Sequence, residues 1–206
     1  SRLRPSAESF TYGIAIADEL AVAVELPSAQ LASRWPQGAD IRVVATTMAG
    51  AAIGEAQGRI EPTTRGTLVR IPLPPGGAGP WRVAATIGTG PDRLEDRADI
   101  RAGEGRLAGE ALVFRGTPAA TSPLRAVADF QFRRTERVHL EWAVRAPLDR
   151  REARLLGRNG QPLAVPVTLT EREAGGRQLV AAALNLAPLS AGDYVIELVV
   201  GSGADT

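Results

Sequence analysis

The chain contains no cysteine, no lysine and a single histidine, His139. Without cysteine it can form no disulfide, no thiol nucleophile and no cysteine-ligated metal site. A zinc site built on histidine needs two or three of them. A Ser–His–Asp relay needs a serine on a strained turn, and no such motif is visible. We therefore expect neither a catalytic centre nor a metal or other cofactor, and His139 is expected to lie exposed on a strand.

Strong net charge and long apolar runs are also missing. The 24 basic residues, all arginine, face 23 acidic residues, so no bulk field favours nucleic acid or a membrane surface. No run approaches the roughly 18 apolar residues of a membrane span, and no secretion leader opens the chain. Ser1 in place of methionine predicts a processed chain or an excised fragment. We expect no nucleic-acid partner and no transmembrane segment in this chain.

What the chain does contain is an internal repeat. Residues 71–90 align without a gap with residues 184–203, at an offset of 113. A second match, at an offset of 118, places Tyr12 and Ile14 on Phe130 and Phe132. The simplest interpretation is two domains of one fold in tandem, residues 1–102 and 103–206, joined near a glycine-rich hinge at residues 103–109.

The apolar residues recur with a period of two, which is typical of strands with one buried face. The 22 Gly and 15 Pro interrupt these runs at short intervals. The pattern predicts an all-β fold of two β-sandwich domains. Strands are predicted over residues 150–156 and 92–101, a hairpin turn at residues 159–160, and one helical turn over residues 29–35. The expected core residues are Tyr12, Ile14, Val22, Val24, Trp81, Val83, Phe130, Phe132, Leu140, Trp142, Tyr194 and Ile196.

One basic patch stands out in the second half. Residues 130–160 hold eight Arg against four acidic residues. The candidate binding residues are Arg133, Arg137, His139, Arg151, Arg154 and Arg158, with Trp35 added because it lies beside Pro36 in a predicted loop and is expected to be exposed. The alternative is a solvated sheet face carrying cross-strand Arg–Glu pairs. Nucleic-acid binding would also require interleaved aromatics, and these are expected in the core.

An acidic cluster near the domain boundary offers oxygen ligands for calcium, which needs six to eight of them. Its members are Asp92, Glu95, Asp96 and Asp99. Arg93, Arg97 and Arg101 alternate with them, so a self-neutralised surface strand is the favoured interpretation, and no metal site is predicted.

Two stretches resemble known families. The sequence LSAGDYVIELVV, residues 189–200, resembles the closing strands of bacterial immunoglobulin-like and fibronectin-type modules. Residues 107–200 are similar to the C-terminal region of bacterial VWFA-related domain-containing proteins, in which β-rich tandem modules follow a von Willebrand factor A-like domain. The Asp-x-Ser-x-Ser metal motif of that domain is absent, so no metal ligand carries over. The resemblance implies immunoglobulin/fibronectin-like sandwiches in an extracytoplasmic (periplasmic or secreted) bacterial protein.

Two functional hypotheses remain. The first is a non-catalytic structural or interaction module, a fragment of a larger exported protein, whose partner would be a protein. The second is a carbohydrate-binding or accessory domain of a carbohydrate-active enzyme. That alternative needs exposed aromatics for sugar stacking, or two facing carboxylates about 5–10 Å apart for hydrolysis. Trp35 alone does not supply them.

The end of the second repeat predicts an incomplete sheet, because residues 201–206 are too short and polar to form a closing strand. Either residues 111–115 pair with the strand at 194–200 or with its neighbour, or that edge stays open and meets another chain.

Overall fold

The computed structural model describes residues 8–102, 107–119 and 123–203, and these are almost entirely β. The elements are β1 Phe10–Ile16, β2 Glu19–Glu25, α1 Ser28–Arg34, β3 Ala39–Thr47, β4 Ala52–Ile60, β5 Gly66–Pro72, β6 Trp81–Ile87, β7 Leu94–Ile100, β8 Leu112–Gly116, β9 Arg125–Ala126, β10 Arg137–Ala143, β11 Arg150–Leu156, β12 Thr168–Ala174, β13 Arg177–Asn185 and β14 Val195–Gly201. A short 3-10 turn covers Gly90–Asp92. The all-β prediction is confirmed.

The chain divides into two compact units. Unit 1 comprises Ser1–Gly103 together with Arg125–Phe130, and unit 2 comprises Glu104–Leu124 together with Gln131–Thr206. The chain therefore passes from one unit to the other three times. The domains expected from the sequence, 1–102 and 103–206, contain no such return.

Unit 1 is a β-sandwich of two antiparallel sheets. One sheet has the order β1-β2-β5 and the other has the order β4-β3-β6-β7. With the usual letters for immunoglobulin-like sandwiches, these are strands A-B-E and C′-C-F-G. The inward side chains of both sheets form one apolar core, and in β2 the residues between the inward ones are buried as well.

Unit 2 is a second sandwich with a different division of strands. Four of its strands follow one another in the order β12-β13-β10-β8, and β11 pairs with β14 alone. These correspond to D-E-B-A and C-F. In unit 2 the fourth strand of the sandwich, β12, thus lies beside the fifth, β13. In unit 1 the fourth strand, β4, lies beside the third, β3. Leu155, Leu184 and Leu189 form the centre of one apolar cluster between the sheets.

Several sequence expectations are confirmed at the level of single elements. Residues 150–156 form a strand, and Leu94–Ile100 is the last strand of the first sandwich. A turn lies at Asn159–Gly160, where Gly160 has a φ of 75°. The helix Ser28–Arg34 begins and ends one residue earlier than predicted. Six of the expected core residues are buried, namely Ile14, Val22, Val24, Trp81, Val83 and Trp142. Others, namely Tyr12, Leu140, Tyr194 and Ile196, are half-buried.

The placement of Phe130 and Phe132 on a core strand is wrong. Both lie in a loop, and Phe130 is 48% exposed with a φ of 53°. The first strand of the second sandwich is β8, which lies before this loop. The repeat at an offset of 118 therefore holds for β2 and β10 but not for the strand before them.

The predicted closure of the second sandwich by residues 111–115 is also wrong. This segment contributes β8, which pairs with β10 in the register Leu140↔Val113. It pairs with neither β14 nor β11, because it takes the place of the first strand in the opposite sheet.

A matched pair of glycines tests the packing of unit 1. Gly88 has a φ of 70°, and a Cβ there would lie 2.4 Å from Trp35 Nε1, whereas Gly50 has a φ of 90° and open space around it. We expect Gly88→Ala to lower the free energy of unfolding by about 3 kcal/mol, and Gly50→Ala by about 1 kcal/mol from backbone strain alone. Urea titrations of both variants measure the difference. Equal effects would show that Trp35 is not packed against this turn.

Candidate functional site

Glu25 and Arg115 are the buried charged side chains of the described chain, 1% and 8% exposed respectively. They hold successive parts of one stretch, residues 125–136, which we call the anchored segment. Its first part belongs to unit 1 and its second part to unit 2. The two sets of contacts are named here the unit 1 anchor and the unit 2 anchor.

The unit 1 anchor is built on the last residue of β2. The backbone N–H groups of Ala128 and Asp129 donate to Glu25 Oε2, at 3.0 and 3.2 Å. Arg65 Nη2 lies 3.1 Å from Glu25 Oε1 and 3.2 Å from Asp129 Oδ2. Arg65 is itself held to β2 by a bond from Nε to the carbonyl of Leu26. The carboxylate thus receives two backbone donors and one guanidinium.

The unit 2 anchor uses the opposite charge. Arg115, on β8, donates from Nη2 to the carbonyl of Gln131 at 3.2 Å. Its Nη1 lies 3.3 Å from Glu136 Oε1, and its guanidinium carbon lies 5.2 Å from the centre of the Phe132 ring. Glu136 in turn accepts a 2.6 Å bond from the backbone N–H of Arg133. The loop that follows Phe130 is thus closed around one buried arginine.

These contacts matter because a buried charge is costly unless it is paired and hydrogen-bonded. Removing one partner of such a pair leaves the other uncompensated, which costs about 3–5 kcal/mol. An edge-to-face contact between Tyr12 and Phe130, with ring centres 4.9 Å apart, adds an apolar contribution in unit 1. The stretch that returns to unit 1, Arg125–Phe130, is therefore held there by specific interactions.

The predicted basic patch does not form one surface. Arg137 and His139 lie on β10, whereas Arg151 and Arg154 lie on β11, in the other sheet of unit 2. Arg133 contributes its backbone to the unit 2 anchor, and Arg158 is exposed at the hairpin turn.

Cross-strand ion pairs use several of the arginines, as the alternative interpretation of the patch predicted. Arg154 pairs with Glu197 on β14, which raises the pKa of Arg154 above its ordinary value. Arg151 reaches Glu171 on β12 at 2.7 Å. In unit 1, Arg82 pairs with Asp99, and its hydrogen bond lowers the pKa of that carboxyl. Exposed pairs of this kind contribute little to stability.

The expectation that Trp35 is exposed is wrong. Trp35 is 8% exposed and belongs to the core of unit 1, because α1 packs its last turn onto that core. The guanidinium of Arg34 covers the ring at 4.9 Å. Trp35 is therefore unavailable for stacking against a sugar.

His139 takes part in a half-buried polar cluster instead of facing solvent freely. Its Nε2 lies 3.0 Å from Glu141 Oε1, and Arg172 of β12 donates to the same carboxylate at 2.7 Å. The bond from His139, followed by that from Arg172, holds the pKa of Glu141 below its ordinary value, although burial acts in the opposite direction.

Two carboxylates of the acidic cluster at residues 92–99 form ion pairs with arginines. Glu95 pairs with Arg93 at 2.6 Å, and Asp99 pairs with Arg82. Within residues 8–102, 107–119 and 123–203, no group of three or more His, Asp or Glu side chains is placed to hold a metal ion.

An open polar depression lies on the β12–β13 hairpin, lined by Glu171, Arg172, Glu173, Gly176 and Gln178. Across the same described ranges, no helix is long and apolar enough to cross a membrane.

The sequence interpretation missed both anchors. Glu25 ends a run of apolar residues, Leu20–Val24, that is otherwise entirely buried, and a carboxylate in such a run is a usable signal for a buried pair. Its partners lie 103 and 104 residues further along the chain, so no local pattern identifies them.

Comparisons with known proteins add little. No family model matches the chain, and no curated protein matches it. Among solved structures, a crystal structure of chicken TCR aligns over 95% of this chain and 100% of its own, with 7% identity and a TM-score of 0.29. A likeness at that level carries no argument, so the fold rests on the sheet topology described above.

The unit 1 anchor can be tested by removing a single charge. We expect Glu25→Gln to lower the free energy of unfolding of unit 1 by about 3 kcal/mol, because Arg65 and two backbone N–H groups lose the buried negative charge that they surround. The matched control is Glu55→Gln, whose exposed carboxylate pairs with Arg42 and should cost about 0.5 kcal/mol or less. Urea unfolding followed by tryptophan fluorescence measures both. Similar losses in the two variants would contradict a buried structural role for Glu25.

The lowered pKa of Glu141 predicts an acid-dependent contribution to the stability of unit 2. A carboxyl whose pKa is lower in the folded state stabilises fully above its unfolded pKa, and this stability is lost as the pH falls through the folded value. The loss of stability that Glu141→Gln causes in unit 2 should therefore be constant above about pH 5 and become smaller below about pH 4. Thermal unfolding between these pH values measures it. Glu152→Gln, which removes an exposed carboxylate of β11, is the matched control, and a constant cost of Glu141→Gln across the range would contradict the prediction.

Proposed function

We propose that the chain is a non-catalytic structural and interaction module of an exported bacterial protein, in which the two β-sandwiches unfold cooperatively. The observation that carries the proposal is the pair of anchors on residues 125–136. The buried charges of Glu25 and Arg115 are used to hold this segment. A flexible tether between two independent domains would need no such contacts.

The chain connectivity supports the same role. Arg125–Phe130 belongs to unit 1, where Glu25 and Arg65 bind it and where Val127 is fully buried. Unfolding of unit 1 frees this segment, and it is continuous with the residues that surround Arg115 in unit 2. Local stability is then shared across the boundary, as expected of a cooperative structural unit.

The location and the family context enter as part of the proposal. The similarity of residues 107–200 to the β-rich C-terminal region of VWFA-related domain-containing proteins supports an extracytoplasmic location, periplasmic or secreted. In such a protein the two sandwiches would space neighbouring domains and present surfaces to protein partners.

Coupled unfolding is the test of this proposal. In urea, the NMR amide signals of Val43 in unit 1 and Val180 in unit 2 should disappear over the same concentration range in the wild-type chain. Glu25→Gln should separate the two transitions. Val43→Ala, a core substitution of similar cost that leaves the anchors intact, should move both transitions together to lower urea. Separate transitions in the wild type, or coincident ones in Glu25→Gln, would overturn the proposal.

A further inference from the structure

The hairpin turn that follows β11 carries an asparagine in a reactive setting. The chain contains two asparagines, Asn159 and Asn185, and only the first is followed by glycine. Glycine has no Cβ, so the peptide nitrogen between Asn159 and Gly160 can be approached closely. Both residues of this pair are exposed. The turn therefore brings a side-chain amide and an accessible peptide N–H together at the surface.

The turn itself is closed by two backbone hydrogen bonds. Gly160 N–H donates to the carbonyl of Gly157 at 2.9 Å, and Gly157 N–H donates to the carbonyl of Gln161 at 2.9 Å. Gly160 has a φ of 75°, and a Cβ built on it would meet nothing within 4 Å. Hairpins of this kind commonly end their turn on a glycine in the left-handed region. The peptide nitrogen of Gly160 thus lies at the open side of the turn.

The side chain of Asn159 lies back over the turn. Its Oδ1 accepts a 3.2 Å bond from the N–H of Gln161, and it lies 3.3 Å from a Cβ built on Gly157. A hydrogen-bond donor aimed at a carbonyl oxygen stabilises the negative charge that this oxygen acquires when its carbon is attacked. The N–H of Gln161 therefore favours attack of a nucleophile on the Cγ of Asn159.

The matching turn of unit 1 shows that this geometry does not need an asparagine. Gly50 N–H donates to the carbonyl of Thr47 at 2.9 Å, and Thr47 N–H donates to the carbonyl of Ala51 at 2.8 Å. Thr47 Oγ1 accepts the N–H of Ala51 at 3.1 Å, as Asn159 Oδ1 accepts the corresponding N–H in unit 2. Ala49 occupies the position of Asn159. The side-chain amide is therefore dispensable for the fold of such a turn.

We propose that Asn159 is a site of spontaneous deamidation, which proceeds through a cyclic imide formed with Gly160. The peptide nitrogen of Gly160 loses its proton to hydroxide and attacks the Cγ of Asn159. A C–N bond forms, the Cγ–Nδ2 bond breaks, and ammonia leaves with a proton taken from water. Water then opens the imide at either of its two carbonyls, which gives aspartate or isoaspartate. The net reaction consumes one water and releases one ammonia, so it needs no other reactant.

Both products change the hairpin. Each adds one negative charge, which moves the formal net charge of the chain at pH 7 from +1 to 0. Isoaspartate also routes the main chain through the side-chain carbon and lengthens it by one atom within the turn. The bonds that close the hairpin, at Gly157 N–H and from Leu163 N–H to the carbonyl of Leu155, depend on the length of this loop. We expect isoaspartate to weaken both.

Incubation of the intact chain at neutral and at mildly alkaline pH, followed by acid digestion and mass spectrometry of the peptides, measures the reaction. The peptide that contains Asn159 should gain the mass of the amide-to-acid change, and faster at the higher pH because the attacking nitrogen must first lose its proton. A methyltransferase specific for isoaspartate should label the same peptide. Asn185 is the internal control: it is also exposed but is followed by Leu186, and it should keep its amide.

Two variants separate the chemistry from its effect on the turn. Asn159→Ala places the unit 1 residue in the turn, and it should abolish the mass change, the isoaspartate label and the loss of net charge. Asn159→Asp should carry the charge of the deamidated chain without the longer main chain. Hydrogen exchange at the amides of Gly157 and Leu163 should stay slow in both variants after incubation. It should become faster in the incubated wild-type chain.

Three results would contradict the inference. One is retention of the amide at Asn159 to the same extent as at Asn185. Another is conversion to aspartate alone, because direct hydrolysis without the cyclic imide gives no isoaspartate. The third is unchanged exchange at Gly157 and Leu163 in a chain that carries isoaspartate. These measurements need no denaturant and no partner, so the inference stands or fails independently of the function proposed above.

Discussion

The buried carboxylate of Glu25 is the constraint on which the organisation of this chain depends. At the end of an apolar strand it must be neutralised and hydrogen-bonded, because an isolated buried charge is not tolerated. Two of its donors, the N–H groups of Ala128 and Asp129, come from beyond the first part of unit 2. Unit 1 is therefore complete only after the chain has left it and returned. In unit 2, Arg115 plays the equivalent role with a positive charge, and it binds Gln131 and Glu136.

The two sandwiches differ in how each closes its sheets. The repeat preserves the central strands, β2 with β10 and β6 with β14, since these carry the core on their inward faces. The outer strands differ: β4 and β12 join opposite sheets, and β7 has no counterpart among the described residues of unit 2. An edge strand can belong to either sheet of a sandwich without disrupting the core between the sheets.

Alternation of apolar residues was sufficient to predict the all-β fold and many strands, because a half-buried strand imposes a period of two wherever it occurs. Alignment failed at Phe130, where a match between true strands was extended into a loop. The expectation that Trp35 is exposed failed for a different reason, because burial of a residue beside a proline depends on how the preceding helix packs. The apolar run before Glu25 could have signalled a buried carboxylate, but the partners of Glu25 and Arg115 were not predictable, since only the folded chain brings them close.

The account depends most directly on whether the anchored segment is held as firmly as the core. Native-state hydrogen exchange at the amides of Ala128 and Asp129 measures this without any substitution. The account predicts that both amides exchange as slowly as those of β2, because their hydrogen bonds to Glu25 open only when unit 1 unfolds. Exchange at the rate of an exposed loop would contradict it, and the two sandwiches would then be independent domains on a simple linker.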